Sequence, residues 1–208
     1  FNYGWPVPAW RIGQRYLRYE NVRDWNFLAR ELPLEAGGRT AAPSGFRCRE
    51  VDRFGTAVDD LFARLGPGER FTLVKDAAWL NWRYADHPRQ RYRLFECWKD
   101  GDLRAIGADT VGHLLRPNTS FLVDWLVAPS DHEALVAIVA DAEAAACRAG
   151  PGVLALVQSP VDPRYRPIQR LGYATWDSGY FLVVATFTLD SMFLRDAWHF
   201  TMGESDLT

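Results

Sequence analysis

Residues 120–158 place a strand, a long helix and a second strand in direct succession, and this run most limits what the chain can fold into. Ser120 to Val127 reads as an apolar run interrupted once, by Asp124, which suits the interior of a sheet. Asp131 to Ala149 follows as the longest helical stretch, with Leu135, Ile138, Val139, Ala142 and Ala146 forming an apolar stripe. Asp131 suits an N-cap or first-turn position, where an acid meets the positive end of the helix dipole. Gly150-Pro151-Gly152 ends the helix, and Val153 to Gln158 begins a second buried strand. Strands of this kind around an amphipathic helix require a sheet with helices against its faces.

The flanking segments extend that sheet. Phe46 to Phe54 alternates apolar and charged residues as a half-buried strand does. Thr56 to Leu65 carries Val58, Leu61, Phe62 and Leu65 at helical spacing, with Gly66-Pro67-Gly68 as its stop, and Ala77 to Tyr84 predicts a second helix. Tyr92 to Trp98 and Leu103 to Val111 flank Lys99-Asp100-Gly101-Asp102, a hairpin signal. Pro163 to Arg170 reads as a short helix, and Tyr173 to Phe187 as a closing hairpin turning at Asp177-Ser178-Gly179. The order β-α-α-β-β-β-α-β-α-β-β predicts an α/β (α+β) fold with a mixed, mostly antiparallel sheet flanked by helices.

An internal echo bears on domain organisation. At an offset of 154 residues, Pro6, Val7, Leu17, Tyr19, Phe27 and Leu28 match Pro160, Val161, Leu171, Tyr173, Phe181 and Leu182 in order and without a gap. Both stretches read as a loop, a short helix, a turn and an apolar strand, the signature of a repeat. We therefore expect residues 1–35 to be the tail of a preceding copy. Residues 36–45 form a small-residue linker, 46–190 one domain, and 191–208 a C-terminal tail covering a sheet edge.

Composition excludes other classes. With 48% apolar residues and a formal charge of −2, the chain supports a core and offers no general electrostatic attraction for nucleic acid or acidic lipid. Three cysteines, Cys48, Cys97 and Cys147, are odd in number and widely spaced, which predicts free thiols in a reducing, cytoplasmic compartment. The four histidines lack metal-ligand spacing with any cysteine pair. Only Lys75 and Lys99 are lysines, so arginines supply the other basic charges, a bias compatible with a GC-rich bacterial source.

Val127-Ala128-Pro129 leading into the long helix, Leu171-Gly172-Tyr173 after the short one, and the string WLNWRYADHP from Trp79 to Pro88 complete a pattern that resembles the GCN5-related N-acetyltransferase (GNAT) superfamily. The whole resembles the C-terminal part of a tandem bacterial protein of that kind. The resemblance implies transfer of an acyl group from acetyl-CoA to a small-molecule or peptide amine, by direct attack of the amine on the thioester.

Such chemistry needs donors for the pyrophosphate, a route for the ammonium proton and an acid near the leaving thiolate. By resemblance, Leu126, Val127, Ser130, His132, Glu133 and Ala134 occupy the cofactor positions. Asp124 stands where family members carry an acidic residue on the strand before the long helix. Tyr165 is the nearest phenol to the position of the family's acid, which here is Ile168. Trp82, Arg83 and Tyr84 would line the acceptor groove. The segment Pro129 to Ala134 lacks the family's glycines and adds Asp131 and Glu133, two carboxylates that repel a phosphate. A second reading follows: a non-catalytic domain serving as scaffold or acceptor-binding half beside an active copy.

Overall fold

The computed structural model describes residues 2–4, 10–32, 38–65, 72–188 and 190–205, with backbone alone for 2–4. Pro6, Val7, the stop Gly66-Pro67-Gly68 and the last residues of the tail lie outside them. Eight strands form one sheet: β1 (Asn2–Gly4), β2 (Glu20–Glu31), β3 (Phe46–Val51), β4 (Arg93–Lys99), β5 (Asp102–Gly112), β6 (Thr119–Val127), β7 (Val153–Val157) and β8 (Ala174–Ala185). Their order is β1-β8-β2-β7-β6-β5-β4-β3. Each neighbouring pair is antiparallel except β6 and β7, which are joined in parallel through α4 (His132–Ala149). The mixed, mostly antiparallel sheet flanked by helices is as the sequence predicts.

Two apolar layers cover the sheet. On one face, α2 (Ala57–Leu65), α3 (Ala77–Leu80) and α6 (Ser191–Ala197) contribute Val58, Leu61, Leu80 and Leu194 to a cluster with Phe27, Phe121 and Val123. On the other, Leu135, Ile138, Val139 and Ala142 of α4 and Ile168 of α5 (Tyr165–Arg170) pack on Leu122, Trp125 and Leu156. Capping follows the sequence. Asp131 accepts from Ala134 N at 3.1 Å, and Gly150, at φ +87°, closes the helix in the left-handed conformation that glycine tolerates best. After α3, residues Asn81–Ala85 continue as a wider turn in which Asp86 N bonds Asn81 O at 2.9 Å.

Three expectations change. The closing hairpin is absent: β8 runs straight through Asp177-Ser178-Gly179, which form a bulge where Trp25 pairs with Tyr180 and Asn26 with Asp177. Gly179 supplies φ +69° there, and Ser178 Oγ accepts from Tyr180 N at 2.9 Å. These residues interrupt the strand instead of turning it back, and the strand that pairs with them comes from the N-terminal segment.

That strand is the second change. β2 lies between β7 and β8, pairing Phe27 with both Val157 and Trp176. The segment read as the tail of a preceding unit thus builds into this sheet. The echo is visible as two helix–turn–strand units, α1 (Trp10–Leu17) with β2 and α5 with β8, whose strands lie side by side. The linker is pinned as well: Thr40 N and Arg30 Nη1 each reach the buried Glu143 of α4 at 2.8 Å.

Third, Cys48 and Cys97 face each other across the β3–β4 register and are disulfide-bonded, leaving Cys147 free. Their separation of 49 residues hid a pairing that only strand register brings together. No helix among the described residues is long and apolar enough to cross a membrane.

Candidate functional site

The site begins with a defect in β6. Ala108 pairs with Asp124 but Asp109 with Leu122, so Val123 is an extra residue and the strand bends there. The parallel pairing with β7 stops at the same place, at Leu122 and Leu156. Beyond it no pairing joins residues 123–127 to the chain that follows Val157, so the two strands part there. Two consequences follow from the bulge: Asp124 turns toward the α2–α3 face, and Trp125 toward α4.

Polar groups collect where the strands part. Arg164, 4% exposed, donates from Nη1 to Val127 O at 2.6 Å and from Nη2 to Asp162 Oδ2 at 2.7 Å. Its guanidinium also lies 2.9 Å from His199 Nδ1 and covers the Trp125 ring at 5.0 Å. Burial opposes ionisation of Asp162, but its bonds to Arg164 and His199 outweigh that and hold the carboxyl well below the usual range. Burial and the Arg164 charge push the His199 imidazole down to about 4, so the ring is neutral at pH 7. Just past the end of β7, the 1%-exposed Gln158 has neither its amide nitrogen nor its oxygen bonded, and Trp125 Nε1 also lacks a hydrogen-bond partner. Buried polar atoms are rarely left unsatisfied, which singles out Gln158 and Trp125 as candidate contacts.

Asp124 faces the opposite way and is fully engaged. It receives Lys75 Nζ at 2.7 Å, Tyr84 Oη at 2.8 Å, Thr201 Oγ1 at 3.0 Å and Trp125 N at 2.9 Å. Lys75 also bonds Thr201 Oγ1 at 2.9 Å and pairs with Glu204 at 3.0 Å. Lys75, Asp124 and Glu204 are all without side-chain exposure. Burial works against the Lys75 charge, yet the two carboxylates override it and raise its pKa. Burial and the Asp124 charge drive the Tyr84 phenol well upward. The tail therefore does not cover a sheet edge: residues 198–205 are buried and lie over β6, in the middle of the sheet. Aromatic and apolar residues in it, Trp198, Phe200 and Met202, complete the core on that face.

The remaining sequence candidates divide between surface and interior. Ser130, His132 and Glu133 are exposed at the start of α4, whereas Leu126, Val127 and Ala134 are buried. The acids there are neutralised, Asp131 by Arg104 Nε at 2.9 Å and Glu133 by Lys99. A recess of about 450 Å³ adjoins the turn, lined by Arg64, Arg104, Ser130 and Asp131 among others. Tyr165 bonds Thr175 Oγ1 at 2.9 Å on the α4–α5 side, away from the Asp124 cluster. Of the expected acceptor trio, Trp82 is exposed, Tyr84 holds Asp124, and Arg83 donates to Gly203 O at 3.3 Å and Ser205 O at 2.5 Å. Sequence reading missed Lys75, Thr201, Glu204, Arg164 and Gln158. Two carried a signal: Lys75 is one of only two lysines, and Gln158 is a lone amide ending an apolar strand.

A mixed sheet whose one parallel pair separates beyond a bulge, with a long helix leaving the bent strand, is the fold of the GNAT superfamily, and solved structures bear this out. A conserved protein of Enterococcus faecalis V583, described as of unknown function and a probable N-acyltransferase, matches with a TM-score of 0.55 at 9% identity, over 87% of this chain and 43% of its own. A GCN5-related N-acetyltransferase from Anabaena variabilis matches at 0.53 and 11% identity, over 86% and 44%. The C-terminal domain of a putative lysylphosphatidylglycerol synthetase from Agrobacterium fabrum matches at 0.53 and 13% identity, over 86% and 65%. The chain thus spans less than half of the first two. No family model and no curated protein matches its sequence.

Proposed function

We propose that this chain is an acyl-CoA-dependent N-acyltransferase domain whose thioester arm enters the cleft between β6 and β7. The observation that carries this reading is that the Gln158 amide, just past β7, and Trp125 Nε1, in β6 beyond the last β6–β7 pair, are both buried and unsatisfied. The arm of an acyl-CoA is a chain of amides ending in a thioester, and it supplies both donors and acceptors to such groups. The residues present fit it in part. At the start of α4, the amides of His132 and Glu133 are first-turn donors for a phosphate, while Asp131 takes Ala134 N and Arg104 offsets its charge. Ser130 lies in the same turn. Val127 O, by contrast, is already taken by Arg164, so the arm would bond Gln158 rather than the strand end.

In the reaction an amine attacks the acyl carbon, a C–N bond forms, the C–S bond breaks, and the thiolate leaves. In this reading Asp124 takes the ammonium proton and Tyr165 protonates the leaving thiolate. The acceptor is a small-molecule or peptide amine reaching Asp124 past Arg83 and Tyr84. One observation favours the second reading, a scaffold half serving a preceding copy: in the closed arrangement every bond of Asp124 is spent on the chain itself.

Calorimetric titration with acetyl-CoA tests the reading. We expect saturable binding tighter than about 1 mM, weakened roughly tenfold by Gln158→Leu, the loss of about one hydrogen bond. Absence of heat with both acetyl-CoA and CoA would overturn it. Binding without release of CoA thiol in the presence of amines would select the scaffold reading.

A further inference from the structure

The C-terminal segment does more than fill the core. Its five residues Thr201–Ser205 are all buried, form no strand, and contact the sheet through polar groups centred on Asp124. Gly203 passes so close that a Cβ there would stand 2.1 Å from Tyr84 Oη and 2.5 Å from Asp124 Oδ2. Thr201 and Glu204 close a capping box on themselves, Glu204 Oε2 accepting from Thr201 N at 2.6 Å and from Thr201 Oγ1 at 2.9 Å. Arg83 clamps the segment from outside through two carbonyls.

Among the described residues bonded around Asp124 and Lys75, the charges do not balance when all groups are ionised. Two carboxylates, Asp124 of β6 and Glu204 of the segment, share one ammonium, Lys75, and all three are sealed from water. Tyr84, among the described residues the only other titratable group bonded to Asp124, is neutral. The cationic Arg83 bonds backbone carbonyls and neither carboxylate. Arg164 is committed to Asp162, and His199 is neutral beside it. A seated segment therefore favours a proton on one carboxylate. Glu204 is the one that moves with the segment.

We propose that Thr201–Ser205 is a closing strap over the Asp124 side of β6, seated at low pH and released as pH rises, so that the chain controls access to its own carboxylate. Geometry makes the strap and an incoming amine mutually exclusive, because both need the lone pairs of Asp124 and the space beside Tyr84. The direction of the pH response follows from linkage. Burial, followed in the same direction by the Asp124 charge and opposed by Lys75, raises the Glu204 pKa while the strap is seated. The seated state thus binds the proton more tightly than the released one. Closure is complete below the ordinary carboxylate range and is lost as pH climbs from there through the raised value.

The strap's regulatory meaning rests on the acyltransferase reading, but its motion is tested without acyl-CoA. Hydrogen exchange of the peptide covering residues 198–205 is followed by mass spectrometry across pH and corrected for intrinsic exchange rates, with β6 as internal reference. Protection of the strap is expected to fall by up to about tenfold per pH unit, the slope for release of one proton, while β6 stays protected. Glu204→Gln, which keeps the shape and the acceptor oxygen without the titration, is expected to hold the strap with a flat profile. A flat wild-type profile, a strap that opens only together with β6, or a Glu204→Gln profile parallel to the wild type would each overturn the proposal. The wild-type titration decides even if the variant misfolds. Failure of acetyl-CoA to bind would leave these profiles unchanged, which separates the two claims.

Discussion

Replacing Lys75 with Met is expected to destabilise the fold by about 3–5 kcal/mol, the loss typical when one member of a buried ion pair is removed. The side chain has no exposure and holds Asp124 at 2.7 Å and Glu204 at 3.0 Å. Without it, Asp124 and Glu204 remain buried together without the ammonium between them, and Thr201 Oγ1 loses a donor. Methionine fills much of the same volume, so the effect reports charge rather than a cavity. The double variant Lys75→Met, Asp124→Asn is expected to recover part of the loss, since it removes one of the stranded charges. Urea unfolding of the four proteins in this cycle measures the coupling. A cost below about 1 kcal/mol for the single variant would mean that the cluster is hydrated or already open.

Arg164→Leu is expected to be of similar severity, about 3–5 kcal/mol, for a related reason on the other face. Arg164 holds Asp162 ionised and ties the start of α5 to the carbonyl of Val127. This variant carries a second readout. The guanidinium charge helps hold the His199 imidazole down to about 4, while Asp162 draws it up. Removing Arg164 leaves the attraction and deletes the repulsion, so the His199 resonance is expected to titrate at higher pH than in the wild type. If destabilisation occurs without that shift, His199 does not sense Arg164 as the distances indicate.

The fold was legible because its long elements carry their own signals. The stripe on α4, the apolar β6 and β7, and the Gly-bearing turns each name a local structure, and their order limits the topology. Failures arose where a partner was distant in sequence. Asp177-Ser178-Gly179 has the chemistry of a turn, and nothing local says that β2, some 150 residues earlier, straightens it into a bulge. Cys48 and Cys97 are likewise joined by register alone.

The candidate site was legible at single positions and opaque in its connections. Asp124 stood out as an acid in an apolar strand, and it sits at the bulge that defines the site. Its real partners lie before α3 and in the last residues of the chain, separations of 49 and 77 residues that periodicity does not reach. Tyr84 and Arg83 were singled out as acceptor contacts; Tyr84 bonds Asp124, and Arg83 bonds the carbonyls of Gly203 and Ser205. Gln158 escaped notice because one polar residue at a strand end looks like the start of a loop.

An acyl-CoA is proposed to lie where β6 leaves β7. The most direct measurement is a titration of the isotope-labelled chain with acetyl-CoA, watched by nuclear magnetic resonance at the Gln158 side-chain amide and the Trp125 indole N–H. Trp125→Phe and Gln158→Leu assign the two signals. The account predicts that both signals shift saturably, together with the backbone amides of His132 and Glu133. Shifts confined to surfaces away from the cleft, or no shifts at millimolar acetyl-CoA, would contradict it.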